Sequence, residues 1–321
     1  METVGAQPTV WVLHDGKIGM ANQVIGLAEA LGWPFQEKRL AIRAPWRHLT
    51  PQFWLFPEHA IDPSGDQLNA PWPDIVIGCG RNSVAPARMV KHRSGGKSFW
   101  VQIQDPRCFH DEIDLIIAPQ HDPARGDHIF TTFGAVHRVT RDKLDTAGAT
   151  FAPLFANLPR PLAAVLIGGN NGVYTLSEER FASLCDQLAT LAKSGIGLTI
   201  TPSRRTAPNA AQTLREKLKG LPAFVWDGSG DNPYFGMLAA ADVILVTVDS
   251  VSMVSEAAST GKPVHVIELE GGSKKFARFH QAMRDAGMTR PFAGTIETWT
   301  YTPLDDTARA AAEIRRRVGK A

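Results

Sequence analysis

The chain of 321 residues has few cysteines, no excess of either charge and no long apolar run. Its three cysteines, Cys79, Cys108 and Cys185, form neither an even set nor a C-x-x-C pair, which argues against a disulfide framework and a zinc knuckle. Lys and Arg total 34 against 32 Asp and Glu, so the bulk positive charge of a nucleic-acid-binding protein is missing. Residues 1–9 lack the basic and apolar regions of a signal peptide, and no stretch reaches 18 continuous apolar residues. We therefore expect a cytoplasmic protein with no nucleic-acid partner and no membrane span.

The composition of the chain and its pattern of apolar residues are typical of a folded α/β protein. Apolar residues make up 44% of the chain, and its length suggests two domains. Apolar runs of strand length alternate with amphipathic stretches of helix length, which predicts parallel sheets with five strands in each half. A stiff Leu-Pro-Arg-Pro segment at 158–161 favours a boundary nearby. We predict domains at 1–155 and 156–321, with an insertion at 43–70 and a last helix at 305–318.

Ligands of such sheets bind at the carboxyl ends of the strands, so the loops there are the candidates for function. The loop at 14–19 follows the first predicted strand. Its glycines would let backbone N–H groups approach an anion, and its lysine adds positive charge. A tight turn capped by polar residues explains the same pattern. The candidate anion-binding residues are Gly16, Lys17 and Gly19, and the candidates for acid–base chemistry are His14 and Asp15.

The loop at 78–83 resembles the dinucleotide motif G-x-G-x-x-G with serine in the last position. Asp105 ends the next predicted strand, where an acid that binds ribose would lie. A nicotinamide-dependent oxidoreductase therefore stays open as an alternative, although this motif normally follows the first strand. The scattered histidines, His110 among them, form no metal-binding motif, and we expect them in surface loops.

Three loops of the second half have the composition of a phosphate site. A glycine-rich loop at 168–172 could bring bare backbone against a phosphate or a sugar. Two arginines at 203–206 could clamp a diphosphate, or could equally be solvated. At 247–257 two serines precede a helix, the place for a phosphate, and Glu256 follows within reach of ribose hydroxyls. A capping box with Ser252 as the cap explains these residues as well.

These loops carry a resemblance to known families. The Ser-Glu-x4-Gly-x-Pro sequence at 255–263 resembles the donor-site motif of GT-B glycosyltransferases, including the peptidoglycan N-acetylglucosaminyltransferase, and of UDP-sugar 2-epimerases. More closely, four segments look like the elongated-mitochondria family, which contains the plant mitochondrial fission factor and many bacterial GT-B-like proteins. These segments are His14–Gly19, Gln102–Arg107, Asp231–Tyr234 and Thr247–Ala257.

The resemblance implies a GT-B-like fold of two facing, doubly wound, Rossmann-like domains with a C-terminal helix. The second domain would hold the nucleotide and the first the acceptor. It would place Glu256 on the ribose and Ser250 and Ser252 on the phosphates, with the glycine-rich loop near the diphosphate. The nucleotide-binding candidates of the second half are Gly168, Gly169, Asn170, Ser203, Arg204, Arg205, Asn232, Asp249, Ser250, Ser252, Met253 and Glu256.

The implied reaction moves a sugar from a nucleotide sugar to an acceptor hydroxyl, in cell-envelope saccharide synthesis. No D-x-D sequence is present, so we expect neither a metal nor any other cofactor beyond the donor. Asp15, Asp105 or His14 would act as the base. A second Glu of the E-x7-E motif of retaining enzymes is missing, because Val264 stands there. The plant relatives suggest the alternative of a non-catalytic adaptor.

The insertion crowds Trp46, Phe53, Trp54, Leu55 and Phe56 into eleven residues, next to the cationic and imidazole side chains of Arg43, Arg47 and His48. Aromatic rings interleaved with cations suit a membrane interface, as a lipid-linked acceptor would require. This predicts a peripheral contact on the inner face of the membrane. Alternatively, the rings pack onto the first domain as a lid over its core.

Overall fold

The computed structural model describes residues 7–319, which divide into two compact units. Unit 1 contains the chain up to Arg138 and from Asp305 onward, and unit 2 is Val139–Leu304. The predicted boundary at 155/156 therefore differs from the observed division at both ends of unit 2. The helix before the proline-rich segment belongs to unit 2, and the last helix belongs to unit 1.

Unit 1 is built on one six-stranded parallel sheet. Its strands are β1 (Val10–His14), β2 (Phe35–Arg39), β3 (Ile75–Cys79), β4 (Phe99–Ile103), β5 (Leu115–Pro119) and β6 (Ile129–Thr132). Its longer helices are α1 (Ile18–Leu31), α2 (Arg81–Arg93) and the last helix of the chain, α9 (Asp306–Val318). The strands lie in the order β2-β1-β3-β4-β5-β6.

Unit 2 repeats the architecture with a different strand order. Its strands are β7 (Leu162–Ile167), β8 (Tyr174–Thr175), β9 (Gly197–Pro202), β10 (Ala223–Val225), β11 (Val243–Thr247), β12 (Val264–Ile267), β13 (Glu270–Gly271) and β14 (Thr289–Pro291). Its helices are α3 (Arg141–Phe155), α4 (Glu178–Lys193), α5 (Ala210–Lys217), α6 (Tyr234–Ala240), α7 (Val251–Ala258) and α8 (Lys274–Asp285). The main sheet has the order β10-β9-β7-β11-β12-β14, and β8 pairs with β13. Counted within the unit, the main sheet has the Rossmann order 3-2-1-4-5-6.

The central strands are the ones that the sequence identified most clearly. Every residue of β1, β3, β5, β7 and β11 is buried, because both faces of a parallel sheet are covered by helices. The edge strands β6 and β14 were not predicted. Each is only three or four residues long and partly exposed, so neither shows an apolar run. The count of strands in each main sheet is therefore six rather than five.

Helix packing explains where the two units divide. In α3, Phe151 packs so closely on α6 that a Cβ on Gly236 would lie 2.7 Å from the Cβ of Phe151. Helix α9 instead buries Ile314 and its neighbours in the same cluster as α1. The Asp306 carboxylate accepts hydrogen bonds from the backbone of residues 133 and 134 in unit 1. The prolines at 159 and 161 thus precede β7 without separating the units.

The insertion at 43–70 forms three short 3-10 turns, Trp46–His48, Pro51–Phe53 and Pro57–Ala60. Trp54 is buried against Ala60 and Ala85, as the packing alternative predicted. Phe53, Leu55 and Phe56, however, are 64–73% exposed. The rings therefore do not act together as a lid. Among the described residues, no helix combines the length and the apolar character needed to cross a bilayer.

Candidate functional site

Each main sheet has one place where the strand order reverses, and ligands of α/β sheets bind beside it. In unit 2 this switch point lies between β7 and β11, which are parallel neighbours. In unit 1 it lies between β1 and β3. The predicted loops at 14–19, 168–172 and 247–257 follow three of these four strands. These candidates therefore lie at the carboxyl ends of strands that flank the switch points.

In unit 2 the N–H groups of the glycine-rich loop already have acceptors. The Gly168 N–H donates to Oγ1 of Thr247 at 2.7 Å, and the Gly169 N–H donates to Oδ2 of Asp249 at 3.1 Å. Neither N–H group points to an open phosphate position. At Gly168 and Gly169 the loop therefore does not offer a free N–H group to a diphosphate.

Close packing explains why this loop needs glycine. A Cβ on Gly168 would lie 2.2 Å from Oδ1 of Asp249, and a Cβ on Gly169 would lie 2.1 Å from the carbonyl oxygen of Arg205. The Asn170 N–H donates to the same carbonyl oxygen at 3.3 Å. Any side chain at 168 or 169 would collide with a neighbouring loop, so the glycines serve the contact between loops.

The two arginines after β9 have different roles. Arg205 forms an ion pair with Asp249 at 2.7 Å, and the Asp249 side chain is fully buried. This pairing neutralises a carboxylate that could not otherwise be stable away from water. The neighbouring Arg204 is exposed, and its guanidinium has no ion pair or hydrogen bond within residues 7–319. Of the predicted diphosphate clamp, only Arg204 keeps its charge available to a ligand.

Two buried threonines that the sequence analysis did not single out hold these loops together. Thr206 donates its hydroxyl to the carbonyl oxygen of Gly168 at 2.5 Å, and its Oγ1 accepts the N–H of Ser203 at 2.9 Å. Oγ of Ser203 accepts the Arg205 N–H at 3.1 Å, so it shapes the turn. Thr247 ends an apolar strand, and a polar residue at that position is the signal that could have identified it.

Helix α7 begins at this switch point. Oγ of Ser250 accepts the Met253 N–H at 3.3 Å, so Ser250 rather than Ser252 is the N-cap. Ser252 and Met253 are partly exposed in the first turn, which contains no acidic residue. The positive end of the helix dipole is therefore not compensated within the helix, which favours an anion nearby.

Glu256, the predicted ribose ligand, is buried and already accepts a hydrogen bond. The Tyr234 hydroxyl donates to Oε2 of Glu256 at 2.5 Å. Burial and the Glu256 carboxylate raise the pKa of Tyr234 well above its ordinary value, so the phenol remains a donor. Oδ1 of Asn232, another predicted residue, accepts the Tyr234 N–H at 3.0 Å and is exposed. A ribose hydroxyl at Glu256 has to share the carboxylate with Tyr234 or displace it.

In unit 1, His14 is fully engaged within the fold. Its Nε2 pairs with Oε1 of Glu37 at 2.8 Å, and its Nδ1 accepts the Gly16 N–H at 3.0 Å. The carboxylate fixes the proton on Nε2, so neither nitrogen is left to accept a substrate proton. Gly16 has φ +79°, a conformation that favours glycine. This geometry does not support His14 as the base.

Asp15 joins the two loops at the switch point of unit 1. Its Oδ2 lies 2.6 Å from Nζ of Lys17 and 3.1 Å from Nδ2 of Asn82. Burial alone raises the pKa of Asp15, but hydrogen bonds and charge from Lys17, together with the Asn82 bond, outweigh burial and hold that pKa below its ordinary value. A carboxylate stabilised in this way is a weak base. Gly19 lies in the first turn of α1, where its carbonyl oxygen accepts from the Gln23 side chain.

The motif at 78–83 is explained by packing as well. A Cβ on Gly78 would lie 2.7 Å from Oγ of Ser83, and one on Gly80 would lie 2.5 Å from Sδ of Met20. These glycines face protein atoms rather than an open cradle for a dinucleotide. Asp105, proposed above as a ribose ligand in the oxidoreductase alternative, instead pairs with His110 at 2.7 Å.

Comparison with known proteins identifies the family of this chain. Residues 18–318 match the family model described as Mitochondrial fission ELM1. The chain belongs to this family. It is 34% identical over 272 residues to Mitochondrial fission protein ELM1 of Arabidopsis thaliana, a match that covers 76% of this chain and 64% of that protein. The chain thus spans somewhat less than two thirds of its plant relative.

Solved structures show the fold. UDP-GlcNAc 2-epimerase from Neisseria meningitidis, bound to UDP-GlcNAc, matches 98% of this chain and 100% of its own with a TM-score of 0.58 and 14% identity. The spinosyn forosaminyltransferase SpnP matches 98% of this chain and 95% of its own with a TM-score of 0.52 and 14% identity. The protein therefore has a GT-B-like fold with two Rossmann-like units, as the resemblance implied.

Proposed function

We propose that unit 2 binds a nucleotide sugar and that the protein is a metal-independent glycosyltransferase acting on a saccharide or lipid-linked acceptor. The observation that carries this proposal is the convergence of three loops, after β7, β9 and β11, on the switch point of a Rossmann sheet. They are tied together by direct hydrogen bonds and by the ion pair of Arg205 with Asp249. The structural neighbour from Neisseria, which holds UDP-GlcNAc, adds support.

The contacts within unit 2 favour a different set of donor-binding groups from the set that the sequence alone suggested. The diphosphate would lie against the first turn of α7 and the free guanidinium of Arg204, because the N–H groups of Gly168 and Gly169 are used within the protein. The ribose would share Glu256 with Tyr234. A cation and a helix N-terminus together suit the charge that develops on a departing diphosphate. No metal is needed in this arrangement.

A thermal-shift screen with UDP, GDP, CMP, ADP, NAD and UDP-GlcNAc tests the proposal, because a specific ligand stabilises the folded state. We expect one nucleoside diphosphate to raise Tm, and calorimetry to show that Glu256→Ala weakens its binding roughly 10–100-fold, the range for a lost charged hydrogen bond. Glu256→Gln, which keeps an acceptor for Tyr234, controls for loss of structure. Equal affinity in wild type and both variants would refute the site, and stabilisation by NAD alone would favour the oxidoreductase.

A second candidate function is that of an adaptor on an anionic membrane surface, and the exposed rings of the insertion favour it. Phe53, Leu55 and Phe56 project from a segment anchored by Trp54. Nearby, the Arg47 side chain donates to His48 and pairs with no carboxylate among residues 7–319. Exposed apolar side chains beside cations suit the lipid headgroup region.

Co-sedimentation with phosphatidylserine vesicles tests the membrane contact. We expect wild type to sediment, and to do so less at high salt, because electrostatic attraction to the surface is screened. The double variant Phe53→Ser, Leu55→Ser should remain in solution. Leu154→Ser, which changes an exposed leucine of α3, is the matched control. If all three proteins behave alike, the patch makes no membrane contact.

A further inference from the structure

The exposed apolar side chains of the insertion project from a backbone that its own contacts hold in place. We call Phe53, Leu55 and Phe56 the apolar triad. The Trp46 indole donates to the carbonyl oxygen of Leu55 at 3.0 Å, and the Trp54 indole donates to another carbonyl oxygen of the same segment at 3.3 Å. Phe56 has φ +52°, a conformation that a residue with a Cβ keeps only where its neighbours hold it. The apolar triad is therefore presented to solvent in a fixed shape.

Two arginines and a histidine lie next to each other at the start of this segment. Arg81, the first residue of α2, donates from Nη2 to the carbonyl oxygen of Arg47 at 2.8 Å. Arg47 in turn donates from Nε to Nε2 of His48 at 3.0 Å. All three residues are exposed, and we call them the cationic cluster. The hydrogen bond from Trp46 to Leu55 holds this cluster close to the apolar triad.

The acidic residues of the insertion do not balance the charge of the cationic cluster. The insertion contains three of them, and Glu58 pairs with Arg93 at 3.4 Å. Asp62 and Asp66 each accept a backbone N–H, at 3.0 Å and 2.7 Å. Among residues 7–319, no carboxylate pairs with either arginine of the cationic cluster. Two positive charges therefore lie together without compensation.

Other arginines of unit 1 show how unusual this arrangement is. Arg88 pairs with Glu112 at 2.8 Å, and Arg138 pairs with Glu29 at 2.5 Å. Two guanidinium groups without an acid between them repel each other, although water and salt screen part of the repulsion. A bound anion would remove that cost. The cationic cluster is therefore complementary in charge to an anionic ligand.

The donors of the cationic cluster indicate which anion fits best. A guanidinium has five N–H groups, so both arginines keep donors beyond the hydrogen bond that each makes within the protein. Because Nε2 of His48 accepts from Arg47, the proton of the neutral imidazole is on Nδ1, which is a further donor. A phosphate monoester presents three oxygens and a charge of about −1.5 to −2. It matches two guanidinium groups better than a diester does, because a diester has two free oxygens and a single charge.

The apolar triad decides the source of such a phosphate. A soluble phosphate would contact the cations alone and would leave Phe53, Leu55 and Phe56 in water. At a membrane surface, phosphate groups lie directly above the acyl chains, so cations and apolar side chains are satisfied together. Both sets of side chains belong to one fixed segment and its contact with α2. This favours a lipid headgroup over a soluble phosphate.

We propose that the cationic cluster of Arg47, His48 and Arg81 binds the phosphate monoester headgroup of an anionic lipid while the apolar triad enters the acyl boundary. The inference rests on the membrane contact proposed as the second function, and it adds the identity of the headgroup. A diester headgroup such as phosphatidylserine attracts the protein through its charge only. A monoester headgroup such as phosphatidic acid is held by direct hydrogen bonds as well.

Vesicle co-sedimentation tests the choice of headgroup. The vesicles are phosphatidylcholine with about 20 mol% phosphatidylserine, or with phosphatidic acid at the fraction that gives the same zeta potential, so that long-range attraction is equal. We expect wild type to partition roughly 10-fold more strongly onto phosphatidic acid, as expected for hydrogen bonds to a charged group. Arg47→Gln and Arg81→Gln should each bring the two partition coefficients close together, and thermal melting checks that both variants remain folded.

A matched control separates a headgroup site from the loss of one positive charge. Lys97 is exposed and lies beyond the C-terminal end of α2, away from the cationic cluster at its start. Lys97→Gln changes the net charge as the arginine variants do, and we expect it to keep the wild-type preference for phosphatidic acid. If Lys97→Gln loses the preference as the arginine variants do, the effect is one of net charge and the inference is wrong.

The remaining outcomes separate the headgroup site from the membrane contact itself. Equal partitioning of wild type onto both kinds of vesicle overturns the inference and leaves the membrane contact standing. If wild type sediments with neither, both fail. A preference that survives in Arg47→Gln and Arg81→Gln shows that the cationic cluster is not the site. If the double variant Phe53→Ser, Leu55→Ser sediments with phosphatidic acid as wild type does, and glycerol 3-phosphate releases both proteins, the ligand is a soluble phosphate and the choice of a lipid is wrong.

Discussion

At the switch point of each unit an aspartate lies beside a glycine-containing loop, but the charge of this aspartate is balanced differently in the two units. Asp249 in unit 2 is fully buried, and Arg205 neutralises it from the next loop. Asp15 in unit 1 is partly accessible; Lys17, two residues away, neutralises its charge, and Asn82 donates a hydrogen bond to it. In unit 2 the pair joins two loops and fixes the fold, whereas in unit 1 it lies largely within one loop. A glycine-rich loop at a strand end is therefore not by itself an anion site, because what matters is which N–H groups and cations the protein leaves free.

The largest effect should come from adding a methyl group inside the loop of unit 2. Gly169→Ala would place Cβ 2.1 Å from a backbone carbonyl, which cannot move without shifting the neighbouring loop. We expect a loss of unfolding free energy of about 2–3 kcal/mol, typical of overpacking. Gly172→Ala is the matched control, because no atom lies within 4 Å of its Cβ position. Urea denaturation of the two variants measures the difference, and equal stability would refute the packing explanation.

The next effect separates the two adjacent arginines. Arg205→Ala leaves the Asp249 carboxylate buried without its partner, and because Arg205 is 38% exposed we expect a loss of roughly 1–3 kcal/mol, below the full cost for a buried pair. Arg204→Ala should change stability by less than about 0.5 kcal/mol. It should instead weaken binding of the nucleoside diphosphate roughly 10-fold. Denaturation measures the stability of both variants, and calorimetry measures their affinity for the nucleoside diphosphate. The assignment is wrong if Arg204→Ala loses stability and Arg205→Ala loses only affinity.

The smallest effect concerns Asp15 and pH. Its folded pKa lies below the ordinary value of 3.8, so the charged form stabilises the fold above about pH 4, and this contribution is lost as the pH falls through the lower folded value. Asp15→Asn should therefore be less stable than wild type at pH 7, by less than about 1 kcal/mol for a partly screened pair. The difference should shrink toward pH 3. Asp127→Asn, at an exposed position of unit 1, is the matched control.

The sequence could predict the sheets because parallel strands buried on both faces must be apolar along their whole length. β7 and β11 are apolar runs of this kind. Because the two strands are parallel, the polar residues that follow them lie at the same edge of the sheet. Edge strands such as β14 lack that pattern because one side meets solvent. Helix α3 was missed for a related reason, since Leu144 and Phe155 are its only buried residues and its apolar stripe is weak.

The candidate site was harder to predict than the fold, because its chemistry depends on pairings between loops. Asp249 was identified as a ligand-binding candidate, yet nothing in its neighbourhood along the chain reveals Arg205 as its partner. Glu256 likewise finds Tyr234 from another helix. His110 was set aside because it belongs to no spacing motif, although Asp105, its partner, lies five residues earlier. Local motifs show where polar residues gather, but which of them neutralise each other is decided by the tertiary structure.

Helix α9 has a consequence for the order in which the protein folds during synthesis. Ile314 and its neighbours complete the apolar cluster around α1, and Arg315 donates to the last carbonyl groups of α1. Unit 2 is encoded entirely between the two segments of unit 1. During synthesis on the ribosome, unit 2 is complete before the last segment of unit 1 is made. Until then α9 is missing, and one flank of α1 in the first 138 residues stays uncovered. The part of the chain made earliest is thus the part whose core is closed last, and until then that flank offers an apolar surface to chaperones.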